Sequence, residues 1–124
     1  MHRTAAILAL AGCATACGYS TDEVADMPAR FTMTVPAAWD VVGTCLTQEY
    51  VNGFEVNYLP VPSEQRAKVI VKLVGPGIVQ YVTIMYIIDI KGGGQTTVTW
   101  RARPPNTDRA DQRDKAIVER CGKA

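Results

Sequence analysis

Thirteen consecutive residues, Ile78 to Ile90, are apolar on both faces of an extended chain and rich in β-branched side chains and tyrosine. Such a run does not suit a strand with one solvated face. It belongs in the middle of a sheet that is covered on both sides, or it bends midway. At this length it exceeds the roughly 3–10 residues of ordinary strands. The rest of the chain must therefore supply neighbouring strands and enough apolar cover.

The neighbours are legible. Ala67 to Val74 sets Val69, Val71 and Leu73 against Lys68 and Lys72, and Gly75-Pro76-Gly77 joins it to the long run by a turn. On the other side, Lys91-Gly92-Gly93-Gly94-Gln95 is a hairpin signal. Thr96 to Arg103 then alternates, with Val98, Trp100 and Ala102 on one face and Thr97, Thr99, Arg101 and Arg103 on the other. Upstream, Phe54, Val56 and Tyr58 alternate with Glu55 and Asn57, and Pro60 and Pro62 end that run. These segments make an antiparallel meander of about four strands. Phe31 to Val35 adds a short strand-like stretch.

Two helices complete the plan. Trp39, Val42, Leu46 and Tyr50 recur at helical spacing, so a helix is expected over 36–50 with Pro36 as its first residue. Gly43 weakens it by about 1 kcal/mol relative to Ala, or admits a close neighbour. Asn52-Gly53 is a turn signal. Thr107 is a good N-cap for a second helix, with Ala110, Ile117 and Cys121 on its apolar side and Gly122 as a stop. The expected fold is α+β: a two-layer domain in the order helix, meander, helix, with both helices on one sheet face. Trp39, Tyr50, Tyr58, Tyr81, Tyr86 and Trp100 fall mostly at core-facing positions and read as packing.

Composition bounds the function. The 124 residues are 48% hydrophobic and 20% charged, with a net charge of +1, which suits one small domain and gives no electrostatic case for nucleic acid. No apolar run reaches the roughly 18–20 residues of a membrane-spanning helix. At the start, His2 and Arg3 precede a short apolar stretch, Thr4 to Ala11, that reads as a signal peptide over residues 1–12. Leu10-Ala11-Gly12-Cys13 at its end resembles the lipobox of bacterial lipoproteins. That resemblance covers these thirteen residues only. It implies a diacylglycerol, palmitate-type modification on the Cys13 thiol, cleavage before Cys13 and a lipid anchor in the cell envelope. The absence of Asp at position 14 favours the outer membrane, with the domain facing the periplasm. Ala14-Thr15-Ala16 is also an A-x-A pattern, whose cleavage would release a soluble protein starting at Cys17. A lipobox ending at Cys17 puts Ala where Leu is preferred. Residues 13–30 read as a flexible tether and 31–124 as the single domain.

Chemistry is sparse. His2 is the only histidine and lies in the signal, so no His-based triad or His metal ligand remains in the processed chain. Loss of Arg3 takes thirteen basic residues to twelve, equal to the twelve acidic ones. No C-x-x-C pair, phosphate loop or G-x-S-x-G motif occurs, and Glu49 and Glu55 beside a turn read as solvated acids. No catalytic residue, metal ligand or cofactor is assigned, and an enzyme is disfavoured. Cys45 and Cys121 lie on or beside the apolar seams of the two helices. If both helices share a sheet face, the thiols can form a disulfide. Arg109, Arg113 and Arg120 fall within about 40° on a helical wheel at roughly 100° per residue. No acid on their own helix pairs them, whereas Asp111 with Lys115 and Glu119 with Lys123 have the favourable i,i+4 order. The stripe is a candidate partner-binding face, or is held by solvent or by an acid such as Glu55 or Asp89.

The reading is a lipid-anchored interaction or assembly module of an envelope complex, with a protein partner there and the membrane reached through the lipid. The alternatives are a small lipid- or ligand-binding lipoprotein and a soluble secreted domain cleaved after Ala16. A closed core as against a pocket of several hundred Å³ separates the first two.

Overall fold

A computed structural model describes residues 20–75, 82–103 and 107–123. The expected signal with Cys13 and Cys17, the Pro76-Gly77 part of the expected turn, the first part of the long apolar run with Tyr81, and Pro104-Pro105 lie outside the described residues. The remainder of that run forms strand β4, Val82–Lys91, the third of five strands. Its neighbours are β3, Arg66–Val74, and β5, Thr96–Arg103; β2, Glu55–Val61, lies beyond β3. All pair antiparallel, so β2 to β5 form the expected meander. The fifth strand is β1, Phe31–Val35, which pairs antiparallel with β5 at the far edge and gives the order β1-β5-β4-β3-β2. Pro60 does not end β2 but sits inside it. An edge strand tolerates this, because an outward-facing N–H has no ladder partner to lose. At the β4–β5 hairpin, Gly93 and Gly94 take φ of 126° and 93°, which other residues rarely adopt.

One sheet face carries the main core. Helix α2, Trp39–Tyr50, lies across β2 to β5, mostly over β3 and β2. It starts three residues later than Pro36 suggests. The Ala37 N–H donates to the Gly122 carbonyl, and the Ala37 carbonyl accepts from Thr96 Oγ1, so this backbone is bound into the fold before a helix can begin. Gly43 admits a close neighbour: a Cβ there would meet Tyr58 Cε1 at 2.6 Å. Helix α3, Asp108–Cys121, begins at Thr107, whose side chain accepts from the Ala110 N–H as expected. Its buried side is Asp111, Asp114, Val118 and Cys121, one residue round from the predicted Ala110, Ile117 and Cys121 stripe. Two buried carboxylates displaced the apolar phase. The layer between the helices and the sheet is filled by Leu46, Tyr50, Tyr86, Ile88, Trp100 and Val118 with their neighbours.

The other face corrects the tether reading. Residues 20–30 are part of the domain, not a free linker. Ser20 accepts from the Glu23 N–H and caps a short helix, α1, Thr21–Ala25. Its Val24 is fully buried against Met85 and Ile87 on the outer side of β4. Arg101 then donates to the Met27 carbonyl, and the Arg30 N–H donates to the Trp100 carbonyl at 2.7 Å. The cause is the apolar outer side of β4. With α2 and α3 both on the opposite face, this segment is what covers it among the described residues.

Candidate functional site

Two regions hold the polar groups that sequence reasoning singled out. The first is the α2–α3 seam. Cys45 and Cys121 are disulfide-bonded there, with Cα atoms 5.6 Å apart. This is the pair expected from their places on two helices that share one sheet face. Glu49 lies beside the bond, its carboxylate and the two sulfurs all within 4.8 Å of one another. Both thiols are consumed by the disulfide, and Glu49 accepts from Arg120 at 2.7 Å, so this trio is held as an ion pair against a cystine.

The arginine stripe is largely satisfied from within. Arg120 pairs with Glu49 across the seam, and Arg113 contacts Asp114 at 3.5 Å. Neither partner is Glu55 or Asp89, the acids considered from sequence. Arg109 is exposed and makes no ion pair among the described residues. The expected Asp111–Lys115 pair is also replaced. Asp111 takes Arg30 at 2.6 Å and 3.4 Å, tying the entry to β1 onto α3, while Lys115 lies 5.5 Å over the Phe31 ring. The Arg113 contact corrects the expectation that no acid of α3 pairs the stripe, since Asp114 is its neighbour in sequence. Arg120–Glu49 and Arg30–Asp111 join segments far apart, and helix-local spacing carries no trace of them.

Beneath the seam lies a polar and aromatic cluster. Fully buried Asp114 accepts from Tyr50 Oη at 2.8 Å. Tyr50 meets Tyr86 at 6.1 Å and Trp100 at 5.9 Å between ring centroids, and Trp100 stacks on Phe31 at 5.3 Å. Burial, reinforced by the Asp114 charge, pushes the Tyr50 phenol well above the usual tyrosine range. Tyr86 is raised for the same reasons. Both therefore stay protonated at neutral pH and cannot act as bases there. The Asp111 hydrogen bond likewise raises Arg30 and keeps it charged.

The second region is the outer face of the sheet. Direct cross-strand register places Arg66, Lys91, Thr97 and Thr34 in one row, and Lys68, Asp89, Thr99 and Thr32 in the next. Further along, Ile87 and Met85 pass under α1. The uncovered half forms an open groove of about 420 Å³, walled by Ala25 and floored by Arg66, Lys68, Asp89, Lys91, Thr97, Thr99 and Arg101. A smaller extension of about 270 Å³ runs toward Leu59 and Val61 on β2, both exposed. Asp89 accepts from Arg101 at 2.9 Å and lies 3.9 Å from Lys68, and Arg66 pairs with Glu64 at 3.3 Å. Lys91 has no carboxylate partner among the described residues. Sequence reasoning missed this groove, although two signals bear on it. Period-2 alternation puts its cations on the face opposite Val69, Ile90 and Val98, and Ser20-x-x-Glu23 is a capping-box pattern that announces α1.

Comparison with known proteins gives no matching family model, no matching curated relative and no matching solved structure.

Proposed function

We propose that this chain is a lipid-anchored protein of the bacterial cell envelope, acylated at Cys13, whose domain serves as an interaction or assembly module of an envelope complex. The outer membrane, with the domain facing the periplasm, is its proposed place. The observation that carries this reading is the filled core. Trp100, Leu46, Ile88, Val98 and Val118 are each fully buried, and aromatic rings tile the space between helices and sheet. Among the described residues the concave features are open surface grooves, so function falls to surfaces. A lipid or small-molecule carrier would need room where these side chains pack. The Cys45–Cys121 bond supports the compartment, because disulfides persist where the environment is oxidising.

Intact mass of the mature N-terminus tests the anchor: a diacylated Cys13 is expected, and an unmodified terminus at Ala14 or Cys17 overturns it. A photo-crosslinker placed at Thr99 on the outer face and at Gln112 on α3 tests the module in cells. A discrete protein adduct from at least one face is expected, and none from either counts against the reading.

A further inference from the structure

The outer sheet face is uneven in both height and charge. Helix α1 stands as a ridge over one half, and the groove lies open beside it. The exposed side of the ridge carries Asp22, Ala25 and Asp26, at helical spacings of three and four, and neither aspartate has an ion-pair partner among the described residues. In the groove, Arg66 and Lys91 sit directly opposite each other on β3 and β4. Like charges in that position repel, and Glu64 compensates only Arg66. An acidic ridge and a basic groove thus lie side by side on one surface.

We infer that this face is self-complementary and that its occupant is a second copy of the chain, related by a two-fold axis running across the strands in the plane of the interface. Such an axis reverses the strand direction. It sets the ridge of each copy into the groove of the other, so that Asp22 and Asp26 of one face Arg66 and Lys91 of the other, twice. This is the isologous arrangement, in which one patch serves both partners. Shape agrees with charge: two short helices, one from each copy, share the layer between two sheets. Size agrees as well. Five strands about 4.8 Å wide, averaging about eight residues of about 3.4 Å, give roughly 650 Å² per copy, near the low end of the roughly 600–1,000 Å² per partner of specific complexes. A bilayer of anionic lipid fits less well, since it would meet Asp22 and Asp26 together with the cations. The inference deepens the proposed interaction module by naming one of its surfaces, and it does not depend on the lipid.

The test is sedimentation of the full mature chain carrying Cys13→Ser, so that no acyl group is present. A reversible dimer is expected at about 100 µM or below. Asp22→Lys with Asp26→Lys should weaken it at least about tenfold, and so should Arg66→Glu with Lys91→Glu. The second pair remains like-charged across the strands, but it also costs Arg66 its exposed Glu64 pair, so its melt is compared with that of Lys91→Glu alone. Mixing the two variants should restore a dimer, because both ridge–groove contacts are then of opposite sign. Circular dichroism melts check that each variant is folded, and Asp26→Asn and Lys91→Gln serve if a reversal is not. A wild-type monomer at about 300 µM, a dimer indifferent to both reversals, or a mixture that stays monomeric overturns the proposal. So does a monomer whose Lys91 and Thr99 amides shift only on adding an oligoglutamate peptide, which would assign the groove to an outside acidic partner. None of these results bears on the anchor, which the N-terminal mass decides.

Discussion

The two faces of one sheet are closed by different means. On the helix side, α2 and α3 cover the core, and a cystine, the Arg120–Glu49 pair and the buried Tyr50–Asp114 hydrogen bond tie them together. On the outer side, a helix of five residues covers two side chains of β4 through Val24, and the two rows beyond are threonines, long cations and Asp89 lining an open groove. Both faces answer the same demand, since β4 is apolar on each. They differ in how much of the face needs cover. The lesson concerns division of labour: the helix side holds the fold, and the outer side has spare surface for contact.

Stability measurements can test that division, and the largest loss is expected at the seam. Replacing Cys45 and Cys121 together by Ala opens a link between residues 76 apart in sequence, and lost constraint on the unfolded chain should cost about 4 kcal/mol. A urea midpoint with and without reductant reads this, and a double variant as stable as the oxidised protein would remove the cystine from the account. Leu46→Ala, in the fully buried helix-side core, should cost about 3 kcal/mol.

The Tyr50–Asp114 contact adds a pH signature. The Tyr50 phenol is raised in the fold, so below its unfolded value of about 10 the proton is bound in both states and the contribution is intact. As pH climbs past that value the unfolded chain releases the proton first, and stability falls. Urea midpoints between pH 8 and pH 11 should decline in the wild type and decline less steeply in Tyr50→Phe, at a cost in that variant of about 1.5 kcal/mol at neutral pH. Parallel slopes would reject the linkage. The smallest effect is expected on the outer face, where Val24→Ala removes two buried methyl groups and should cost about 1.5 kcal/mol at most. A loss equal to that of Leu46→Ala would mean that α1 is as central to the fold as α2.

Strand identity, the β4–β5 hairpin and the cap at Thr107 are local properties, and local pattern revealed them. Alternation in residues 96–103 specifies both the strand and its inward side, because side chains of a pleated strand leave on opposite faces. The cystine was also within reach, since two seams on one sheet face bring Cys45 and Cys121 together. The misreadings share one cause. Residues 20–30 look like a linker until the outer side of β4 is known to be bare. Asp111 reads as a partner of Lys115, and Asp114 attracts no notice, until Arg30 and Tyr50 arrive from distant segments to meet them. Arg120 looks free until α2 brings Glu49 to it. A charged residue announces its burial only through its partner, and when the partner is tens of residues away no periodicity records it. Pattern therefore determines which segments are strands and helices and which sides of them are apolar. Which polar group meets which, and so which surfaces are left over for binding, is settled only when the layers pack.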